Sequence, residues 1–80
     1  METLLDVISV EPRVDGTLLL VFENNEARVF DMKPLLDEEP FTKLRDKRLF
    51  PMARVALGTV AWPGSIDIAP ETLWDCSTPA

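Results

Sequence analysis

"VDGTLLLVFENNEARVFD", residues 14–31, sets two turn signals around two apolar, β-prone runs, and its reading decides the fold. Asp15-Gly16 is the preferred pair for a two-residue type I′ turn, whose central residues both need positive φ, so a hairpin is expected to lead into residues 17–23. Asn24 and Asn25 offer the next turn, since asparagine enters the left-handed region more readily than other non-glycine residues. With those two asparagines as the loop, Phe22 faces Ala27, Leu20 faces Val29 and Leu18 faces Asp31, giving one almost wholly apolar face. The opposite face then carries Leu19, Val21 and Phe30 beside Arg28. That face is too apolar to stand fully in water, so helices or another chain are expected to cover part of it.

Upstream, "LLDVISVEP" (4–12) is β-branched and apolar and reads as a strand that ends at Pro12 or runs along an edge, because proline cannot donate to a ladder. Downstream, prolines at 34, 40 and 51 cut residues 30–51 into short pieces, with brief helical turns expected around 34–36 and 41–50. Phe41, Leu44, Leu49 and Phe50 recur near helical spacing and form a stripe that belongs to the core. "MARVAL" (52–57) alternates as a strand up to Gly58, and "TVAWP" (59–63) is its hairpin partner.

In "PGSIDIAPETLWDC" (63–76), Pro63-Gly64 turns the chain, Ile66 and Ile68 form a short strand or buried coil, and Pro70 suits the first position of a closing helix. Leu73 and Trp74 would pin that helix to the sheet, while residues 77–80 are expected to fray. The fold class is therefore α+β: a small antiparallel hairpin sheet with short helices in the middle and a C-terminal helix packed on it. Trp62, Pro63, Asp67, Pro70, Leu73 and Trp74 are its structural clasp. The ordered body is expected to run from about residue 4 to residue 76.

The 80 residues make one domain, and a chain this short buries only about 60–65% of its unfolded surface. Hydrophobic residues at 46% and charged residues at 28% argue against a disordered body. A formal charge of −6 repels phosphate backbones and anionic lipid, so direct nucleic-acid binding is not expected and a basic protein partner suits the field. The acidic run Asp37, Glu38, Glu39 is the candidate contact loop for such a partner. No apolar run approaches the roughly 20 residues needed to span a bilayer. "METLLDVISVEP" lacks the basic start of a signal peptide.

Catalytic combinations are missing from the sequence. One cysteine, Cys76, and no histidine make a Cys–His nucleophile or an ordinary zinc site impossible within one protomer and point to a reducing cytoplasm. Asp67, Glu71 and Asp75 fall at four-residue spacing, the last two on one helix face, and could hold a small molecule or a hard metal. Solvated surface acids are the commoner reading of such a spacing. The basic run "LRDKR" (44–48) carries its own counter-charge in Asp46. No catalytic residue, cofactor or metal is assigned, and the chain is read as non-enzymatic.

The order "LLLVFENNEARVFDMKPLL", "PFTKLRD…LF" and "RVALGTVAWPGSIDIAPETLW" resembles the small bacterial family designated domain of unknown function 2442. The resemblance runs from about Val7 to Asp75 and is most specific at Trp62-Pro63 followed by Asp67, Pro70 and Leu73. It implies a small α+β domain, alone or preceding a DNA-binding helix-turn-helix domain, whose genes often lie beside those of another small family in a toxin–antitoxin-like layout. It carries no catalytic residues. Asn25 stands where such sequences commonly have glycine, and Ala69 where an N-capping Asp or Ser is common, which weakens the last helix by about 1 kcal/mol. Two functions stand: a non-catalytic interaction module, antitoxin-like or regulatory, that binds a basic protein encoded nearby and itself forms a homodimer; or a small-molecule or metal site on the Asp67/Glu71/Asp75 edge.

Overall fold

The computed structural model describes residues 5–80, so the start of the expected first strand at Leu4 lies outside the described residues. Strands β1 (Val7–Pro12), β2 (Thr17–Phe22) and β3 (Ala27–Asp31) form an antiparallel meander. Three 3-10 segments follow, Lys33–Asp37, Phe41–Arg45 and Phe50–Met52. Then come β4 (Arg54–Ala56), β5 (Thr59–Trp62), β6 (Ile66–Asp67), helix α1 (Pro70–Asp75) and β7 (Ser77–Pro79). The strands make two sheets, ordered β1-β2-β3-β7 and β4-β5-β6. Mostly antiparallel strands with one short α-helix among the described residues keep the domain within the coarse α+β class.

Both early hairpins fall where the turn signals put them, but neither uses a two-residue loop. Arg13 N donates to Thr17 O and Gly16 N to Arg13 O, so Val14, Asp15 and Gly16 form a type I turn closed by Gly16 at φ 88°. The second hairpin repeats the device: Phe22 N donates to Glu26 O, Asn25 N to Phe22 O, and Asn25 takes φ 67°. This is the three-residue loop in which a left-handed residue makes a bulge. Asp15 and Asn24 each occupy the middle of their loop and accept from the backbone N–H two residues on, at 3.1 and 3.0 Å. The type I′ turn belongs instead to β4–β5, where Leu57 (φ 53°) and Gly58 (φ 78°) are the central pair.

The longer loop shifts the β2–β3 register by one residue from the expected pairing: Leu18 faces Phe30, Leu20 faces Arg28 and Val21 faces Ala27. Because side chains alternate with period two, the shift exchanges the faces of β3. Phe30 and Arg28 therefore join Leu18, Leu20 and Phe22 on the core side, and Val29 and Ala27 join Leu19 and Val21 outside. A bulge in β1 between Val7 and Ser9 leaves Ile8 exposed while Val7 stays buried.

One core joins both sheets. Val7, Leu18, Leu20, Phe22, Phe30 and Met32 from the first half pack with Val60, Trp62, Ile66, Ile68 and Leu73 from the second, and Leu44 enters from the 3-10 segments. Prolines 34 and 51 sit at the starts of their segments and Pro40 caps the one between, so the brief helical turns expected here take the 3-10 form common in short connecting pieces. Phe41, Leu49 and Phe50 pack against the core as the stripe requires. The expected alternation of β4 is only half realised, for Val55 is 37% exposed and Leu57 fully so.

The last residues, expected to fray, form a strand. Ser77–Pro79 pairs with β3 and extends the first sheet, and Ala80 N donates to Ala27 O. Arg28 fastens it: Nε donates to Ser77 Oγ at 2.6 Å, Nη2 to Ser77 O at 2.8 Å, and the guanidinium lies 4.3 Å from the Trp74 ring centroid. Trp74 in turn meets the Phe22 ring edge-on at 5.0 Å. Sequence spacing could not show this, because it depends on the β3 register that turns Arg28 inward. No helix among the described residues is long and apolar enough to cross a membrane.

Candidate functional site

Asp37, Glu38 and Glu39 lie at the junction of the first two 3-10 segments, and all three are exposed. The loop is held by local bonds. Asp37 forms an ion pair with Arg45, whose Nε also donates to Leu36 O at 2.9 Å. Glu39 Oε2 accepts from Thr42 Oγ1 at 2.7 Å, and Glu38 N donates to Leu35 O. Part of the loop's charge is therefore answered within the chain, and the backbone that displays the rest is tied down by the hydrogen bond from Glu38 N–H to Leu35 O. Among exposed groups a single ion pair of this kind contributes at most about 1 kcal/mol and leaves the field of its neighbours in place.

Asp67, Glu71 and Asp75 are exposed and do not converge. Asp67 lines a shallow groove of about 360 Å³ on the outer side of β4–β5–β6, together with Arg54, Ala61 and Trp62, whereas Glu71 and Asp75 lie outside its lining. Among the described residues no group of three or more His, Cys, Asp or Glu is arranged to hold a metal ion. Cys76 is exposed at the C-terminal end of α1, where the helix offers a thiolate no stabilisation.

The remaining clasp residues are apolar or conformational. Trp62 is buried, donates Nε1 to Phe50 O at 2.9 Å and stacks on the Phe50 ring at 6.3 Å, so it ties the 3-10 region to β5. Pro63 opens the β5–β6 loop, and Pro70 starts α1 after Ala69, which supplies no side-chain cap. Leu73 is fully buried and Trp74 half-buried.

A second concavity was not foreseen. It measures about 470 Å³ and opens between the β1–β2 loop and the 3-10 segments, lined by Pro12, Leu36, Leu44 and Phe50 with Arg13, Arg45 and Lys47. Phe50-Pro51 and the basic run after Leu44 are its sequence traces, but nothing local brings Arg13 to them.

A small two-sheet antiparallel domain closed by a short helix, with acids displayed on loops, is the class these features define. Over residues 7–79 the sequence matches the family model described as "Protein of unknown function (DUF2442)", and the chain belongs to that family. No curated protein and no solved structure matches the chain.

Proposed function

We propose that this domain is a non-catalytic protein-interaction module, antitoxin-like or regulatory in kind, that works in the cytoplasm by binding a basic protein encoded nearby. The observation that carries the reading is the exposed Asp37-Glu38-Glu39 turn, held by 3-10 segments on both sides in a chain of net charge −6. Carboxylates on a fixed, solvated turn steer an oppositely charged partner at long range, and the cost of ordering the loop is already met in the free protein.

The test is kinetic. The product of the adjacent gene, purified and mixed with this domain, should associate with an on-rate that falls steeply as ionic strength shortens the Debye length from about 10 Å at 0.1 M towards 3 Å at 1 M. A triple Asp37→Asn, Glu38→Gln, Glu39→Gln variant should show slow association already at low salt. Equal on-rates for variant and wild type would remove the loop from the mechanism. Absence of any complex would turn attention to the second reading, a small-molecule site at Asp67, which the adjoining groove with Arg54 favours.

A further inference from the structure

The larger of the two concavities meets the acidic loop through the Arg45–Asp37 pair and has a chemistry of its own. Its volume of about 470 Å³ falls in the range of pockets that take small organic ligands. Leu36, Leu44, Phe50 and Pro12 give it an apolar lining. Charge sets it apart from the rest of the surface: the chain has eight Lys and Arg against fourteen Asp and Glu, yet three of those eight cations line this groove and, among the described residues, no acid does.

The three cations are answered unequally. Arg45 is held by Asp37 and by Leu36 O. Arg13 makes no ion pair with nearby Asp15, whose carboxylate is engaged by Thr17 N and Thr17 Oγ1, at 3.1 and 2.6 Å. Neither Arg13 nor Lys47 enters an ion pair among the described residues. Two cations beside an apolar lining suit a ligand with the complementary division, an apolar body and one anionic end. A charge-assisted hydrogen bond to a carboxylate is roughly twice as strong as a neutral one, and Arg13 offers a planar fork for it.

We propose that this groove binds a small amphipathic monocarboxylate, its aliphatic or aromatic body against Leu36, Leu44 and Phe50 and its carboxylate between Arg13 and Lys47. The net negative field of the protein opposes any anion, so polyanions are disfavoured and the two rim cations decide whether a single carboxylate is accepted. Arg45 is the reserve cation, freed when Asp37 is neutralised.

Amide chemical shifts of the full chain, followed during titration with 4-phenylbutanoate and separately with octanoate to about 10 mM, test the assignment in a range that detects millimolar binding. Saturable shifts at Gly16, Leu44 and Lys47 are expected. Arg13→Gln and Lys47→Gln, both at exposed positions, should each weaken binding by about threefold to tenfold, and 4-phenylbutan-1-ol should bind at least about tenfold more weakly than the acid. Asp37→Asn should tighten binding, a sign that general loss of structure would not produce. The proposal fails if no saturable shifts occur at the groove, if the alcohol matches the acid, or if the charge variants bind like wild type. A peptide with a free C-terminal carboxylate that filled the groove when neither small acid did would also overturn it in favour of peptide recognition.

Discussion

Leu57 shows what one residue can cost. It is the first central residue of the β4–β5 type I′ turn at φ 53°, and its side chain is fully exposed, so its backbone is strained and no packing repays it. Gly58 beside it takes φ 78°, which favours glycine, and a Cβ there would also have to displace the Asp6 carboxylate. Leu57→Asn should therefore raise stability by about 0.5–1 kcal/mol in urea melts, because asparagine enters the left-handed region at lower cost. Unchanged or lowered stability would mean that Leu57 makes a contact that the isolated domain does not show. Asp15 is the residue whose titration matters. The hydroxyl of Thr17, then its backbone N–H, hold the Asp15 carboxyl below the ordinary aspartate range. A depressed folded-state pKa stabilises at pH above the unfolded value and loses that contribution as pH falls through the folded one. Stability should thus decline as acidity increases below about pH 4, and Asp15→Asn, which keeps the turn acceptor without the charge, should flatten that part of the profile. An identical acid limb in the variant would assign the decline to other carboxylates.

At the scale of elements, the C-terminal strand stands out. Arg28, Trp74 and Ser77 make one staple: the guanidinium bonds Ser77 twice and lies over Trp74, Ser77 Oγ donates to Trp74 O at 2.9 Å, and Trp74 packs on Phe22. Deleting residues 77–80 removes the β3–β7 ladder and leaves the half-buried Arg28 without its partners on Ser77. A loss of about 1–3 kcal/mol is expected in urea melts. Trp74→Ala should cost about 2–3 kcal/mol, short of a fully buried ring because Trp74 is half-buried, and Leu73→Ala about 3 kcal/mol from a fully buried site. Fast hydrogen exchange at Ala80 N–H in the intact protein would argue that β7 is frayed and the staple open. The same elements show how far the sequence could be read. Asp15-Gly16 and Asn24-Asn25 located both hairpins, since such residues mark turns whichever turn type forms. Register was beyond reach, because β2 and β3 are apolar on both faces and the pattern accepts either pairing. One added loop residue then carried Phe30 and Arg28 to the core side, and with Arg28 went the staple and the order of the last strand. The acids at 37–39 could be seen as a cluster, but the groove at Arg13 could not, as it joins segments far apart in the chain.

For the molecule as a whole, the question is what lies on the outer face of the first sheet. Leu19, Val21 and Val29 stand there half-buried, with Glu11 and Asp31 exposed in the flanking strands. Because the 3-10 segments contribute Leu44, Phe41 and Phe50 to the core side, we propose that a second copy of the chain, most simply related by a two-fold axis, covers this face. Such a dimer brings together two protomers that each carry −6, and their mutual repulsion opposes association at low ionic strength. Added salt screens that repulsion and strengthens the apolar contact, whereas the same salt weakens capture of a basic partner by the Asp37–Glu39 turn. The two interactions should therefore respond to ionic strength with opposite sign, which separates them without knowledge of either interface. Light scattering at about 100 μM should give a two-protomer mass, populated there even if Kd is near 1 μM, and the dimer should tighten between about 0.05 and 0.5 M salt. Val21→Lys, which sets a cation on the outer face and leaves the core untouched, should return the protein to monomers with unchanged folding. A monomeric mass for the wild type throughout that range would end the dimer proposal, and a dimer that Val21→Lys failed to disrupt would move the interface off this sheet face.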